Sequence, residues 1–325
     1  MKGLLTFFTL LLLASTSIGQ ARWYRGNTHT HTKNSDGDSL PVDVVKWYKT
    51  HGYDFVVITD HEHVTDVQSL NAEFGEKEKF LVIPGQEVTD RFDTKPYHVN
   101  GLGLTTVVMP KRATGSAVAN IQANVDAVRA AGGIPQINHP NFGWAITPND
   151  LIQVKNATIF EIYSGHPRVN LLGGGGFPSV EEIWDTALTA GRVYYGVAVD
   201  DAHHFKRTAG EPLTAAPGQG WIFVRASELT PSAILAAIDR GDFYASSGVE
   251  LSDYTVDRSG ITITMKQVRD VRYRSQFIGA GGKVLSESTS NPAVYKFRGK
   301  EKYVRAKIIE SNGGMAWTQP VFPKK

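Results

Sequence analysis

The strongest constraint on the fold is an alternation, from about residue 23 to residue 199, of short apolar runs with longer amphipathic segments. The apolar runs have the length and composition of buried strands, and they lie at 54–59, 79–85, 97–104, 133–138, 158–164 and 193–200. Segments 40–52, 116–133 and 178–191 have helical spacing of apolar residues and end at glycine. Repeated strand-then-helix units predict an α/β fold with a parallel sheet, either closed into a barrel or doubly wound.

The sequence changes character after a last predicted helix at 230–241. From residue 250 onward, strands of alternating polarity are separated by turns rich in Gly, Asn and Ser. We therefore predict two domains, a metal-binding α/β domain at 21–249 and a small antiparallel β-sandwich domain at 250–325.

The first twenty residues differ from the rest of the chain. Lys2 precedes a short, strongly apolar run, and small and polar residues follow it, in the order typical of a secretory signal peptide. Residues 1–20 are therefore predicted to be removed, which leaves an exported protein, periplasmic or extracellular, without a membrane span. The formal net charge of +2 gives no reason to expect a stable nucleic-acid partner.

Residues able to bind metal ions cluster at the ends of the predicted strands, except that His98 lies near the start of the strand at 97–104. They are His29, His31, Asp36, His61, Glu87, His98, His139, Asp201 and His203. Imidazoles and carboxylates are common ligands of divalent ions, and a chain without cysteine must bind a metal through nitrogen and oxygen. Because the carboxyl ends of parallel barrel strands meet at one rim, these side chains are expected to converge there.

Each of these residues also has an ordinary explanation when taken alone. Asp36, in Ser-Asp-Gly, fits a turn, and Glu87 fits an exposed loop charge. His139, which precedes Pro140, fits a hydrogen-bonded core histidine. Their joint occurrence at strand ends in one chain favours a shared metal site.

The ordered motifs resemble those of the polymerase-and-histidinol-phosphatase (PHP) family of metal-dependent phosphoesterases. They are H-T-H-T-x-x-S-D-G at 29–37, T-D-H at 59–61, Glu87, a histidine eleven residues later, N-H-P at 138–140 and D-x-H at 201–203. The resemblance covers about residues 23–205. The stretches GYDFVVITDHEH, NHPNFGW and VDDAHHF are most similar to the secreted, carbaryl-hydrolase-like branch of that family.

The resemblance implies a distorted seven-stranded (β/α) barrel that holds two or three divalent ions, of manganese, iron or zinc. It assigns His29, His31, Glu87 and Asp201 to one ion. It makes Glu87 the bridge to a second ion held by His98 and His139. It assigns Asp36, His61 and His203 to a third.

The function implied is hydrolysis of a small-molecule ester, a phosphomonoester or phosphodiester, by a hydroxide shared between two ions. Glu87, Asp201 and His203 are the predicted catalytic residues. His166 and Arg168 follow a predicted strand and are candidate substrate-binding residues, although an ordinary solvated loop explains them slightly better. Two alternatives stay open: cleavage of an ester, carbamate or amide by the same metal centre, and a non-catalytic metal- or glycan-binding envelope protein.

Overall fold

The computed structural model of the chain describes residues 21–207 and 211–323, so the predicted signal peptide lies outside the described residues. The strands are β1 (Arg22–Asn27), β2 (Phe55–Ile58), β3 (Leu81–Phe92), β4 (Lys95–Leu102), β5 (Ile134–Ile137), β6 (Ile159–Ser164), β7 (Tyr195–Val199), β8 (Trp221–Ala226), β9 (Phe243–Ser246), β10 (Leu251–Val256), β11 (Gly260–Met265), β12 (Tyr273–Gly279), β13 (Lys283–Ser288), β14 (Ala293–Lys296), β15 (Arg305–Glu310) and β16 (Met315–Thr318). The α-helices are α1 (Pro41–Thr50), α2 (Val67–Phe74), α3 (Ala117–Ala130), α4 (Pro148–Gln153), α5 (Val180–Thr189) and α6 (Pro231–Arg240). Within the described residues, no helix has the length and apolar character needed to cross a membrane.

Strands β1 to β7 stand side by side in chain order within a 13-stranded sheet. The pairs β1–β2, β2–β3, β5–β6 and β6–β7 are parallel, as the strand-then-helix pattern predicts. Strand β4 is antiparallel to both β3 and β5, so the prediction of a parallel sheet is wrong for these two pairs. The reason is the short turn between β3 and β4, which makes a hairpin where a parallel connection would need a helix.

The first and last strands of this row meet at their carboxyl ends. The His31 N–H donates a hydrogen bond to the Ala202 carbonyl oxygen at 2.9 Å, and the Asp201 N–H donates to the His29 carbonyl oxygen at 3.0 Å. These bonds join the segments that follow β1 and β7. Two predicted metal-binding segments are therefore fixed against each other by the backbone.

The four predicted helices are present as α1, α3, α5 and α6, and their ends follow local capping chemistry. Ser116 caps α3 by accepting from the Ala119 N–H, and Ser179 and Glu182 form a reciprocal capping box at the start of α5. Helix α6 ends at Gly241, whose φ of 79° is left-handed and suits glycine. The apolar faces of these helices belong to the main hydrophobic core or to the smaller core around β2. Helices α2 and α4 were not predicted, because both are short.

The C-terminal strands divide between two sheets. Strands β8 and β9 extend the large sheet beyond β1, and β16, β15, β12 and β13 continue it in that order. Strands β10, β11 and β14 form a separate three-stranded antiparallel sheet. One hydrophobic cluster contains residues of both sheets, including Ile261 and Phe277. The antiparallel strands expected after residue 250 are thus present, and the domain boundary at 249/250 stays a prediction.

A buried ion-pair cluster connects α5 to β15. Arg305 is 1% exposed and donates to both carboxylate oxygens of Asp185, from Nε at 2.8 Å and from Nη2 at 2.6 Å. Tyr303 donates to the same carboxylate at 2.8 Å, and Arg305 also reaches Glu181 at 3.2 Å. The C-terminal strands are therefore attached to a helix of the α/β region by charged contacts as well as by sheet hydrogen bonds.

Candidate metal centre

Four buried side chains bring one ligand atom each to a common point. His29 Nε2, His31 Nε2 and Glu87 Oε2 lie 3.1 Å from one another, and both imidazole nitrogens lie 3.3 Å from Asp201 Oδ1. Ligand atoms around a divalent ion with bonds of about 2.1 Å stand about 3.0–3.4 Å apart, depending on coordination geometry. The spacing of these four atoms therefore fits a shared ion.

The second oxygen of Glu87 faces a different pair of histidines. Glu87 Oε1 lies 2.9 Å from His98 Nδ1 and 3.4 Å from His139 Nε2. His98 Nδ1 is buried and makes no hydrogen bond of acceptable geometry. A buried nitrogen without a partner, beside a carboxylate and a second imidazole, is an expected feature of an open coordination position.

A third group lies nearer to the surface, around the exposed carboxylate of Asp36. His203 Nε2 is 3.4 Å from Asp36 Oδ1, and His61 Nε2 is 3.7 Å from Asp36 Oδ2. His203 Nδ1 donates to the Asp201 carbonyl oxygen at 2.9 Å, which leaves its Nε2 free to bind an ion. His31 Nδ1, at 3.5 Å from Asp36 Oδ1, borders both this group and the first one.

Local hydrogen bonds fix the segments that carry these ligands. Asp60 accepts from the Thr32 N–H at 2.7 Å and from the Ser35 hydroxyl at 2.8 Å, so it holds the turn that presents Asp36. Asp200 accepts from the Tyr48 hydroxyl at 2.7 Å, and its neighbour Asp201 has a φ of 50°. This strained conformation lets the two adjacent carboxylates point in different directions. Asp200 anchors the loop, and Asp201 faces the first group of ligand atoms.

A buried carboxylate behind the first group was not predicted from the sequence. Glu161, on β6, accepts from His29 Nδ1 at 2.6 Å and from the His139 N–H at 2.8 Å. Its bond to Nδ1 leaves His29 Nε2 as the free nitrogen, as metal binding requires. The available signal was a single charged residue inside the apolar run at 158–164. A charged side chain is rarely buried in such a run unless it has a partner.

Asn138 supports Glu87 in a similar way. Its Nδ2 donates to Glu87 Oε1 at 2.8 Å and to Asn100 Oδ1 at 2.9 Å. In the sequence, Asn138 is recognisable only as part of the N-H-P motif. These contacts fix the orientation of the carboxylate that faces two groups at once.

The site buries three carboxylates, whose negative charge requires cations nearby. Glu87, Glu161 and Asp201 are 1%, 1% and 4% exposed, and in the described part of the chain their ion pairs are all with histidines. Burial opposes protonation of His29, yet Asp201, Glu87 and Glu161 raise its pKa well above the usual value. Burial also disfavours the charged form of Glu87, but the surrounding histidines hold its pKa well below the usual range. Divalent ions would supply the positive charge that protonated histidines otherwise provide, so the donor set fits them.

All nine predicted ligands lie in one constellation, and most of them line a cavity of about 620 Å³. His166 and Arg168 line the same cavity, and Phe142 forms part of its wall. The Arg168 guanidinium lies 5.6 Å from the Phe142 ring centroid. Burial lowers the pKa of His166 to about 4, so its imidazole is neutral at pH 7. The candidate substrate-binding residues therefore border the metal-binding groups at one opening.

Comparisons with known proteins identify the fold. No protein-family model matches the chain, and no curated protein does. The crystal structure of a two-domain protein from Bacteroides vulgatus, containing a predicted PHP-like metal-dependent phosphoesterase, is 17% identical with a TM-score of 0.53, and the match covers 93% of this chain and 96% of that one.

Two other solved structures are less similar. An amidohydrolase from Chromobacterium violaceum with bound sulfate and no metal is 14% identical with a TM-score of 0.41, covering 58% of this chain and 89% of that one. A lesion-specific endonuclease from Pyrococcus furiosus is 12% identical with a TM-score of 0.37, covering 68% and 56%. The TM-score of 0.53 with the Bacteroides protein shows a shared fold over nearly the whole length of this chain.

Proposed function

We propose that the protein is an exported metal-dependent hydrolase of phosphate esters, with a distorted barrel of PHP type formed by β1 to β7. The observation that carries the proposal is the position of Glu87. One of its oxygens lies 3.1 Å from both His29 Nε2 and His31 Nε2, and the other lies 2.9 Å from His98 Nδ1. A carboxylate placed in this way can bridge two ions, which is the arrangement that two-metal hydrolysis needs.

The protein side chains divide the remaining tasks. Bound divalent ions would lower the pKa of a water toward neutrality and offset charge on the substrate oxygens. Asp201 and Glu87 would hold the ions in the buried part of the site, and His203 lies at the cavity with Nε2 available. Arg168 would bind an anionic oxygen of the substrate, since a guanidinium suits phosphate in a bidentate contact. His166, neutral at pH 7, would accept or donate a hydrogen bond beside it.

A charged substrate is favoured by the composition of the cavity. Arg168 is a fixed cation at the opening, and the buried carboxylates lie behind the positions that ions would occupy. An uncharged carbamate or ester would offer Arg168 a hydrogen-bond acceptor but no negative charge. The alternative of carbonyl chemistry therefore becomes an outcome of the test.

The test uses the full chain reconstituted separately with Mn²⁺, Fe²⁺ and Zn²⁺. It is assayed on p-nitrophenyl phosphate, bis-p-nitrophenyl phosphate, a phosphonate ester and 1-naphthyl N-methylcarbamate, with His29→Ala as the control. We expect turnover of at least one phosphorus ester that His29→Ala abolishes. Activity on the carbamate alone would assign the site to carbonyl chemistry, and inactivity on every substrate would favour the non-catalytic alternative.

The role of Glu87 is tested by Glu87→Gln, which keeps the volume and removes the charge. We expect kcat to fall at least about a hundredfold, and the number of bound ions to fall with it. Normal turnover with full metal content would contradict the bridging role. Export is tested separately, by sequencing the amino terminus of the protein recovered outside the cytoplasm.

A further inference from the structure

A second cleft, of about 670 Å³, lies where β1, β8 and β9 meet the start of β10. It shares no lining residue with the cavity of the candidate metal centre. Trp23, at the amino-terminal end of β1, contributes to this cleft, and His29 follows the opposite end of that strand. Six residues of extended chain span about 20 Å, so the two sites are well separated.

The floor of this cleft is a face of the sheet that is rich in aromatic side chains. Trp23 on β1, Trp221 and Phe223 on β8 and Tyr244 on β9 all line it. The side chains on the other face, such as Ile222 and Val224, are buried in the main core. Trp23, Trp221 and Phe223 are only half-buried, although fully apolar surroundings would stabilise them more.

Arg25 is held flat within this aromatic face. Its guanidinium carbon lies 4.1 Å from the Tyr53 ring centroid and 4.0 Å from that of Trp221. Arg25 Nε and Trp221 Nε1 are buried and have no hydrogen-bond partner. Both residues line the cleft, where unpaired buried donors of this kind are unusual for a native structure.

The charged groups of the cleft balance one another. Lys266 pairs with Glu250 at 2.9 Å, and Asp54 accepts from the backbone N–H of Arg25 at 2.7 Å. Two cations and two carboxylates, Arg25 and Lys266 with Asp54 and Glu250, therefore surround the aromatic face. A strongly charged ligand such as a nucleotide would meet a carboxylate wherever it met a cation.

We propose that this cleft binds a neutral carbohydrate of one or two sugar rings. The C–H face of a sugar ring packs on an aromatic ring, and each hydroxyl both donates and accepts a hydrogen bond. The cleft offers the aromatic side chains of Trp23 and Phe223, the cationic donors of Arg25 and Lys266, and the carboxylate acceptors of Asp54 and Glu250. Its volume is within the range of about 300–1,000 Å³ that small-ligand sites have.

The experiment titrates the full chain with cellobiose, maltose and N,N′-diacetylchitobiose, followed by tryptophan fluorescence and by calorimetry. AMP serves as the charged aromatic comparison. We expect saturable binding of at least one disaccharide with a Kd of about 0.1–10 mM, and weaker binding of AMP. Absence of saturable binding of every disaccharide, or tighter binding of AMP, would overturn the proposal.

Two variants locate the binding. Trp23→Ala removes an aromatic face, and Arg25→Met keeps the length of the side chain without its donors. Each should weaken disaccharide binding about tenfold or more, while the melting temperature shows that the fold survives. The matched control is Phe297→Ala, because Phe297 is also half-buried against the C-terminal hydrophobic cluster but lies outside the cleft. Equal weakening by the control would refute this location.

Discussion

Replacement of Glu161 by glutamine tests whether the carboxylate behind His29 determines metal affinity. Glu161 Oε1 accepts from His29 Nδ1 at 2.6 Å and from Gln136 Nε2 at 2.9 Å, and Oε2 accepts from the His139 N–H at 2.8 Å. All three partners are donors. A glutamine can accept only through its single oxygen, so its amide nitrogen must face one donor, and the least costly choice is the His139 N–H.

The magnitude follows from that geometry. One buried backbone donor loses its acceptor, which costs about 1–3 kcal/mol. His29 also loses the negative charge that orients its ring and strengthens its free nitrogen as a ligand. Replacing such a supporting residue lowers metal affinity by about 10–100-fold, or about 1.4–2.8 kcal/mol. The first value is a loss of folding stability and the second is a loss of metal affinity, so the variant should show both.

The assay measures metal content after dialysis against buffered Zn²⁺ or Mn²⁺, together with competition by a chromophoric chelator. The matched control is Asp90→Asn, since Asp90 is also buried and accepts from the Arg112 N–H and from Asn124, on the face of β3 opposite to that of Glu87. We expect the control to lose stability but to keep its metal affinity. Wild-type affinity in Glu161→Gln, with an unchanged melting temperature, would refute the role assigned to Glu161.

Three further changes have defined outcomes. Burial raises the pKa of Asp200 to about 6, above its unfolded value, so the folded state loses about 3 kcal/mol of stability as pH rises from about 4 to 7. Asp200→Asn should remove this loss, measured by urea unfolding of the metal-free protein in EDTA. A difference in unfolding free energy between wild type and variant that does not change with pH would contradict it. Arg305→Met leaves buried Asp185 without its cation and should cost about 3–5 kcal/mol in urea unfolding, whereas a loss below about 1 kcal/mol would contradict the importance of that pair. Arg168→Gln should raise KM for phosphate esters more than it lowers kcat, and an unchanged KM would exclude Arg168 from substrate binding.

The periodic parts of the fold were predictable, and the exceptions have physical causes. Segments 116–133 and 178–191 gave α3 and α5 because apolar spacing, a serine cap and a final glycine agreed there. Strand β8 was missed because its buried residues alternate with exposed or half-buried ones over only six residues, and β9 was missed because it has only four residues, all of them buried. The junction of the C-terminal strands with the large sheet depends on pairing between distant segments, as in Ala316 with Ser246, which no local pattern specifies.

The site was predictable to the extent that each ligand follows a recognisable motif. The residues that support the ligands were harder to predict, because they act through contacts between distant segments. Glu161 contacts a residue 132 positions away along the chain, and Asn138 contacts one that is 51 positions away. Their positions depend on which strands become neighbours. A single buried charge in an apolar run was the only sign of Glu161, and it identifies no partner.

His98 lies in the candidate site although the predicted direction of its strand is wrong. It was predicted near the start of its strand, and in an all-parallel barrel that end lies opposite the rim where ligands converge. Because β4 is antiparallel to β3 and β5, its beginning lies at the same edge as the carboxyl ends of the parallel strands. Thr89 of β3 pairs directly with His98, which brings the imidazole to within 2.9 Å of Glu87 Oε1. The hairpin thus lets one continuous segment supply both the bridging carboxylate and a ligand of the second group.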